Sequence, residues 1–472
     1  MWVALLTIAL RLPSLIEPHH YGDEGVFAAV AHALLHGRAL YLGAWDDKPP
    51  GVYWLYAGVM AVAGPSMTAI HAVVTVWCAG TAVSVTLLGR RLLGRRRGVA
   101  AGVLFALLAS SPLLEANLAL TELFAAAPLA VAFCLLLRDA PAGRGRPLLV
   151  GGLLAVAFLF KQIAGLEAAA AVLWLAGRRR QGLVAALWLC LGWVGTVSTA
   201  LAILAAQGAF TAALYAVMGF YGVYLREGSA SSGLATLIKL APPAVALGLA
   251  AMHARRTPLA PRDGLLLWLG FATLGATAGA RPFGHYLLLT LAPLALAGVA
   301  VAGPPRRLRT ARGPLTLLAV CLLSLSVSFS DFWLSYGGVR PGYYAHVARR
   351  LTGREDRAAF DGFFSWRVAD QERIAPIIRT DHERTLYVWG EYPWLYPLAD
   401  ATNPTRFSVS YLTSFVPGAK DEVLMELRAH PPRYIVAERQ EWRRLPGLRA
   451  LLTERYEPVL SVDGADLYRR RE

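Results

Sequence analysis

The chain has 472 residues, of which 56% are hydrophobic and 16% are charged, and its mean hydropathy is +0.46. Soluble domains carry about 25% charged residues, and apolar runs near the length that crosses a bilayer recur along the first 330 residues of this chain. This composition excludes a soluble enzyme, a disordered chain and a small disulfide-stapled scaffold, and it predicts an α-helical polytopic membrane protein.

The charged residues divide the chain into two regions. After residue 330 lie 20 of the 31 acidic residues and 21 of the 46 basic ones, so the net charge of +15 comes almost entirely from the apolar region. This distribution predicts a membrane region over residues 1–332 and a polar domain over 333–472. Because the excess Arg lies in loops between apolar runs and not on a basic soluble face, no nucleic-acid partner is expected.

Arginine also predicts the topology. Five short loops, at 90–97, 138–146, 178–180, 255–262 and 306–312, hold 18 Arg and no Lys, and the positive-inside rule places them in the cytoplasm. Threading the apolar runs between these loops predicts about 11 spans, with the N-terminus inside and the C-terminal domain outside the membrane. The spans lie near residues 2–16, 67–89, 98–114, 121–138, 148–160, 163–177, 182–206, 236–252, 264–280, 286–302 and 315–332.

Two apolar stretches do not fit simple spans. The pair over 148–177 is short for a core of about 30 Å, which needs about 20 residues, so either these helices stop partway or the turn at Lys161 dips into the membrane. The run over 51–64 is placed as an interfacial helix on the outer face, because aromatic side chains such as Tyr53 suit the interfacial belt. Residues 17–66 then form the first outer loop, with interfacial helices.

Carboxylates collect on the predicted outer side. Eight of the 11 acidic residues before position 330 fall there, two fall in cytoplasmic loops, and Glu167 falls inside a span. Charges near a membrane core are costly and usually functional, which favours an outward-facing active site over the alternative that the asymmetry only reflects topology. The eight are Glu17, Asp23, Glu24, Asp46, Asp47, Glu115, Glu122 and Glu227.

The first outer segment carries two acidic groups some twenty residues apart. Asp23 and Glu24 precede an amphipathic helix that is predicted to run to Gly37, so Asp23 alone would suit an N-cap. Asp47 and Lys48 are followed by two prolines, which make the chain stiff and extended. An N-cap role for Asp23 would explain neither Glu24 nor the pair Asp47 and Lys48. Both groups are therefore candidates for catalysis.

A second set of polar residues lies further along the chain. Glu122 begins a span, where a carboxylate is either a favourable neighbour of the helix N-terminus or a catalytic group. Lys161, Arg281 and His285 are among the few cations near the outer side, and we expect them to converge on a lipid phosphate through bonds of about 1.5–3 kcal/mol each. The alternative for a lone Arg is that it snorkels to lipid headgroups.

No cofactor is predicted. His32 and His36 share a helix face at positions i and i+4, but no zinc-type spacing accompanies them. A non-ligand role is therefore expected for these two residues and for His19 and His20. No sequence motif supports a divalent metal. No Gly-rich phosphate loop follows a strand, so a nucleotide donor is not supported. All four cysteines fall in apolar runs, so no disulfide is expected.

Several of these motifs, in this order, resemble a known group of proteins. Tyr21–Glu24, Asp46–Gly51 and Leu120–Glu122 are similar to motifs of membrane glycosyltransferases of GT-C fold, in particular the protein O-mannosyltransferase-like and lipid A aminoarabinose transferase-like families. Three further stretches resemble recurring bacterial motifs of that group: Phe160–Gln162, Arg281–Tyr286 and Val388–Pro393. The resemblance covers most of the chain.

The resemblance implies an enzyme that moves a hexosyl or pentosyl group from a polyprenyl-phosphate donor to a lipid, glycan or protein acceptor. The site would face outward from a bacterial-type cytoplasmic (inner) membrane. The first acidic residue of the Asp-Glu pair acts as base or positions the acceptor in that group, which points to Asp23, and the lysine of the acidic-Lys-Pro element lies near the donor phosphate, which points to Lys48. Relatives often carry Asp where this chain has Glu122.

The full set of candidate residues follows from both arguments. The catalytic candidates are Asp23, Glu24, Asp47 and Glu122, and the donor-phosphate candidates are Lys48, Lys161, Arg281 and His285. A carboxylate would take the acceptor proton as the anomeric carbon is attacked, and a single displacement predicts inversion at that carbon. No metal ligand is predicted.

The C-terminal region changes character. Helices are predicted over 370–380 and 420–430, and short strands over 385–389, 433–437 and 457–461, which indicates a small extracytoplasmic α/β domain. This domain is either a passive lid or a contributor to acceptor binding, and no catalytic residue is assigned to it.

Two other functions compete with glycosyl transfer. A multi-span transporter or lipid flippase would account for Glu167 and for the short helix pair over 148–177, although transporters tend to show repeated halves and midplane sites. A non-catalytic assembly subunit is compatible with the span pattern, but it does not account for the Asp-Glu and Asp-Lys-Pro-Pro elements.

Overall fold

The computed structural model of the chain is mostly helical and carries a four-stranded sheet near the C-terminus. It describes residues 1–138, 143–220, 222, 233–278, 283–302, 312–330, 342–441 and 444–472. Both features agree with the predicted fold class.

The chain divides into two compact units. The first, called here the helical unit, consists of Met1–Leu12, His71–Leu201 and Leu225–Pro341. The second, called the mixed unit, consists of Pro13–Ile70, Ala202–Tyr224 and Gly342–Glu472. The first outer segment of the sequence analysis therefore belongs to the same unit as the C-terminal α/β region.

The helices up to residue 330 are mostly apolar. In chain order they are α1 Trp2–Arg11, α2 Gly22–Leu35, α3 Gly51–Ala63, α4 Met67–Leu93, α5 Arg95–Leu108, α6 Thr121–Leu136, α7 Gly145–Phe160, α8 Gly165–Ala176, α9 Arg179–Ala206, α10 Phe210–Leu214, α11 Gly233–Ala254, α12 Pro261–Ala278, α13 Leu291–Val301 and α14 Arg312–Ser328. Short 3₁₀ turns precede α8 and α13, at Gln162–Ala164 and Gly284–Thr290.

Each of the 11 predicted spans overlaps one of these helices. Within the described residues, four helical segments are long and apolar enough to cross a membrane: Met67–Leu93, Arg180–Ala206, Leu234–Ala254 and Gly284–Val301. Others, including Thr121–Leu136 and Gly145–Phe160, are apolar but have only 10–17 residues. The number of spans therefore stays a prediction.

Helices α7 and α9 of the helical unit pack at very short range because both carry glycine at the contact. A Cβ atom on Gly151 would lie 1.9 Å from the carbonyl oxygen of Leu189, and one on Gly192 would lie 2.1 Å from that of Leu148. No larger residue fits at either position without separating the two backbones. Small residues at helix contacts are the usual means of close packing between membrane helices.

A buried arginine holds the loop before α6. The side chain of Arg11, at the end of α1, is 1% exposed. Its guanidinium donates to the carbonyl oxygens of Ala109, at 2.7 Å, Asn117, at 3.2 Å, and Ala116. The planar fork of five N–H donors suits several carbonyls at once, so Arg11 fixes the chain that carries Glu115.

The sheet of the mixed unit contains β1 Leu386–Trp389, β2 Tyr434–Glu438, β3 Tyr456–Ser461 and β4 Ala465–Arg470, in the order β1-β2-β4-β3. Strands β1 and β2 are parallel, and the other two pairs are antiparallel. Seven helices accompany the sheet: α15 Tyr343–Leu351, α16 Arg357–Phe364, α17 Trp366–Arg379, α18 Leu395–Ala399, α19 Ser410–Thr413, α20 Ala419–Ala429 and α21 Pro446–Arg455.

The C-terminal core forms on one face of this sheet. Ile374 and Ile378 of α17 pack with Val388 of β1 and Val436 of β2, and all four side chains are buried. The three predicted strands and the two predicted helices of this region are confirmed within one to four residues, whereas β4 and the helices α15, α16, α18, α19 and α21 were not predicted.

Candidate active site

Asp23 and Glu24 lie in the first turn of α2. The residue before the helix, Tyr21, is extended, and no side chain caps the helix start. The alternative that Asp23 is an N-cap is therefore wrong, because Asp23 is the second residue of the helix. Glu24 is fully buried and Asp23 is half-buried. Both carboxylates lie where the partial positive charge of the helix N-terminus stabilises an anion.

The loop after β1 holds this first turn in place. The indole N–H of Trp394 donates to the backbone oxygen of Tyr21 at 3.1 Å. A Cβ atom on Gly25 would lie 2.7 Å from the side chain of Pro393 and 2.8 Å from that of Trp394. The motif at Val388–Pro393 thus leads directly into the residues that pack on the start of α2.

The second acidic group of the mixed unit is buried and hydrogen-bonded. The Lys48 ammonium pairs with Asp47. The hydroxyl of Tyr53 donates to Asp46 at 2.7 Å and accepts from the backbone N–H of Lys48 at 3.2 Å. The hydroxyl of Tyr41 donates to the backbone oxygen of Lys48 at 2.8 Å. These bonds fix the segment that the two following prolines were expected to stiffen.

Tyr53 does not face the membrane interface, contrary to the sequence expectation. Its side chain is 0% exposed, because the helix α3 turns it toward Asp46 and the backbone of Lys48. The aromatic residues of the run over 51–64 indicated an interfacial belt. Composition alone does not show that the hydroxyl of one of these rings forms internal hydrogen bonds.

Charge couples these two acidic groups. Burial raises the pKa of Asp46 to about 7, against the opposing effect of the Lys48 ammonium. Burial alone would lower the pKa of Lys48, but the carboxylates of Asp47, Asp46 and Asp23 raise it well above its usual value. Lys48 is therefore protonated at neutral pH, and Asp23 is close enough to help stabilise the charge of its ammonium.

Glu391 is a further carboxyl of this neighbourhood. It follows Gly390 after β1, and its backbone N–H donates to Glu438 at 2.8 Å. Burial raises the pKa of Glu391 to about 8, and the charges of Glu438 and Asp23 add to this effect while Arg367 opposes it. Sequence reasoning quoted Glu391 within a motif but gave it no role, and that motif was the only signal available.

The helical unit contains a separate polar cluster around Glu122 and Lys161. The Lys161 ammonium lies 2.8 Å from Glu122, and both side chains are almost fully buried. Thr121 donates to the other carboxylate oxygen at 2.8 Å, and the ammonium lies 4.9 Å from the centre of the Tyr286 ring. The pairing of a catalytic candidate with a phosphate-binding candidate was not foreseen.

His285 also has an acidic partner. Its Nδ1 lies 2.8 Å from Glu115, and its backbone N–H donates to the same oxygen at 3.2 Å. Glu115 has a φ of 57°, a left-handed conformation that non-glycine residues seldom adopt, in the loop that Arg11 holds. Arg281 lies outside the described residues, so its place beside Lys161 and His285 stays a prediction.

Comparisons with known proteins identify the fold. Residues 47–207 match the family model of dolichyl-phosphate-mannose-protein mannosyltransferases, and this segment contains Asp47, Lys48, Glu122 and Lys161. The structure of ArnT from Cupriavidus metallidurans bound to undecaprenyl phosphate superposes with a TM-score of 0.62 over 99% of this chain and 97% of that chain, at 16% identity. The chain has the GT-C fold.

A second solved structure gives the same result. ArnT from Cupriavidus metallidurans in the apo state is also 16% identical, with a TM-score of 0.58 over 99% of this chain and 97% of that one. No curated protein sequence is significantly similar to this chain. The resemblance to GT-C glycosyltransferases and the predicted fold class are confirmed, and the protein is a multi-pass membrane protein.

Proposed function

We propose that this GT-C protein transfers a sugar from a polyprenyl-phosphate donor to an acceptor at the outer face of the cytoplasmic membrane. The observation that carries the proposal is the ion pair between the partly buried ammonium of Lys48 and the buried Asp47, beside the buried Asp46; the charge of Asp23 also acts on this ammonium. Asp47 and Lys48 begin the segment that matches the family model of dolichyl-phosphate-mannose-protein mannosyltransferases. The likeness to ArnT, solved with undecaprenyl phosphate, supports a lipid-linked donor.

The proposed reaction is a single displacement at the anomeric carbon. The acceptor oxygen forms a bond to that carbon while the bond to the phosphate oxygen breaks. Asp23 takes the proton of the acceptor hydroxyl, and the electron pair of the broken bond leaves with the polyprenyl phosphate. The configuration of the sugar is therefore inverted. A general base of this kind contributes typically about 10²–10⁴-fold to the rate.

Lys48 is proposed to stabilise the leaving phosphate. Its ammonium is held by the buried Asp47 and is itself only partly exposed, and a fixed charge that is shielded from water acts more strongly than one in water. Asp47 is thereby a positioning residue for Lys48, and Glu24 a buried neighbour of Asp23. The donor-phosphate role of Lys161, Arg281 and His285 and a catalytic role of Glu122 stay predictions.

The test uses purified full-length protein with a radiolabelled polyprenyl-phospho-sugar and the membrane extract of the source as acceptor. We expect Asp23→Asn to insert and fold normally and to lose about two to four orders of magnitude in transfer rate, the range of a lost general base. The matched control is Asp421→Asn, which changes an exposed carboxylate that also lies in the first turn of a helix. Near-normal transfer by a folded Asp23→Asn variant would contradict the role of Asp23.

A transporter or flippase is the second candidate, and Glu167 is the feature that favours it. This carboxyl is buried within α8, where an ionisable residue is usually functional. The indole N–H of Trp268 donates to it, so a structural hydrogen bond also accounts for its presence. Transfer of sugar to an acceptor in detergent, where no gradient exists, distinguishes the transferase from the transporter.

A further inference from the structure

Two histidines and an aspartate of the mixed unit come together away from Asp23 and Lys48. His32 and His36 lie one turn apart at the end of α2, with ring centres 4.2 Å apart. Asp400 follows α18, 368 residues beyond His32, and adopts a left-handed conformation with a φ of 50°. That turn of the backbone directs its carboxylate toward the two imidazoles.

The distances suit a tetrahedral cation. Oδ1 of Asp400 lies 3.1 Å from Nε2 of His32 and 3.4 Å from Nε2 of His36, and one ligand atom from each residue lies within 4.8 Å of the others. Zinc bonds to nitrogen and oxygen measure about 2.0–2.2 Å, so neighbouring corners of its tetrahedron lie about 3.3–3.5 Å apart. The three side chains need only a small adjustment to occupy such corners.

A hydrogen bond on the far side of the His36 ring suits the metal-binding form of this residue. Nδ1 of His36 lies 2.9 Å from the backbone oxygen of His32. A carbonyl oxygen only accepts, so Nδ1 carries the proton, and Nε2 of the neutral ring presents a lone pair to the carboxylate. Two lone pairs facing each other repel, and a shared cation removes that repulsion. Such outer bonds commonly orient metal-ligating histidines.

Two further features around the cluster, a hydrogen bond from Arg384 and a small cavity, also suit a bound ion. Arg384 donates to Oδ2 of Asp400 at 2.7 Å and leaves Oδ1 to the histidines. A cavity of about 30 Å³ lined by both histidines, Arg38 and Asn403 adjoins the cluster. Its volume is enough for one water molecule, which is the usual fourth ligand when the protein supplies three.

We propose that His32, His36 and Asp400 bind a divalent transition-metal ion of the zinc class, with water as the fourth ligand. The ion would fasten the end of α2 to the loop after α18, within the mixed unit. The proposal does not depend on glycosyl transfer, because none of the three residues belongs to the proposed catalytic set. Sequence analysis placed the two histidines on one face but had no means to supply the third ligand.

The test is metal binding by the full-length protein in detergent, purified with a tag that contains no histidine and stripped with a chelator. Titration with Co²⁺ should give the visible absorption of a tetrahedral site at one ion per chain, and Zn²⁺ should displace it. His36→Gln and Asp400→Asn should each weaken binding at least about 100-fold, the upper end of what outer-shell partners alone contribute. His430→Gln, at an exposed histidine that pairs only with Glu426 among the described residues, is the matched control and should bind as the parent does.

A second readout is thermal stability. Zn²⁺ should raise the Tm of the parent protein and of His430→Gln, because a ligand that binds only the folded state stabilises it, and it should leave His36→Gln unchanged. If the parent binds no cobalt, the cluster is a protonated histidine paired with Asp400 and the proposal fails, whatever the variants do. Equal cobalt binding by His36→Gln and the parent would place the ion elsewhere and would equally overturn it.

Discussion

At the scale of single residues, the mixed unit contains a buried carboxyl, that of Asp46, whose pKa is raised. Asp46 is 3% exposed and lies beside Asp47, so its carboxyl holds a proton to about pH 7. Its hydrogen bond with Tyr53 and its proximity to Lys48 do not offset the cost of burial. A protonated Asp46 removes one of the three carboxylate charges that raise the pKa of Lys48 and leaves those of Asp47 and Asp23.

This state predicts a pH-dependent stability. Between about pH 4 and 7 the unfolded chain releases the proton of Asp46 while the folded protein keeps it, so this contribution to stability is present below pH 4 and is lost as the pH rises to about 7. The loss is on the order of a few kcal/mol at most, at 1.36 kcal/mol per pKa unit. We expect the Tm of the parent protein to fall more than that of Asp46→Asn over this range.

Differential scanning fluorimetry in detergent at several pH values measures this difference. Asp421→Asn, the same change at an exposed carboxylate, should follow the parent. The same dependence of Tm on pH for Asp46→Asn and the parent would show that folding does not raise the pKa of Asp46.

At the scale of elements, the contact between α7 and α9 depends on glycine. Replacing Gly192 brings a Cβ atom to 2.1 Å from the Leu148 carbonyl, whereas Gly195 on the same helix has open space around the added atom. Gly→Ala in a helix otherwise stabilises by about 1 kcal/mol. We therefore expect Gly192→Ala to lower the Tm and Gly195→Ala to keep or raise it, and thermal melting of both variants measures the contrast. Equal Tm values would mean that the two helices separate without cost.

The elements of the C-terminal domain show what a sequence pattern can and cannot predict. Strands β1 and β2 are short apolar runs and were predicted. Strand β4 was missed because Ala465–Arg470 ends in charged residues, although the preceding Asp463-Gly464 pair is a hairpin signal that was available. The amphipathic periodicity of α15 and α16 is a second signal of this kind, since both helices are short and present apolar residues on one face.

The candidate site was predicted only where its residues are close in sequence. Asp23 with Glu24 and Asp47 with Lys48 stand out as charged pairs in an apolar chain. The pairing of Glu122 with Lys161, and the electrostatic effect of Asp23 on Glu391, depend on contacts between distant segments. No local pattern reports such contacts, so a single sequence identifies these residues without their partners.

At the scale of the whole molecule, arginine-rich loops predict orientation. We expect a cysteine at His382, whose side chain is 90% exposed, to react with a membrane-impermeant maleimide in intact spheroplasts. A cysteine at the exposed Arg96, in the first turn of α5 and in a segment that the positive-inside rule places in the cytoplasm, should react only after permeabilisation. Both changes are made on Cys190→Ala, since Cys190 is the exposed native thiol. Labelling with the opposite pattern would invert the topology.

The composition of the chain also marks a boundary near residue 330, but it does not show that residues 13–70 form one compact unit with 342–472. Trp394 contacts Tyr21, and Pro393 packs on Gly25. Chimeric enzymes built to change acceptor preference must therefore exchange both segments together. A graft that begins near residue 342 would separate the loop after β1 from the start of α2 on which it packs, and the hybrid would lose the placement of Asp23.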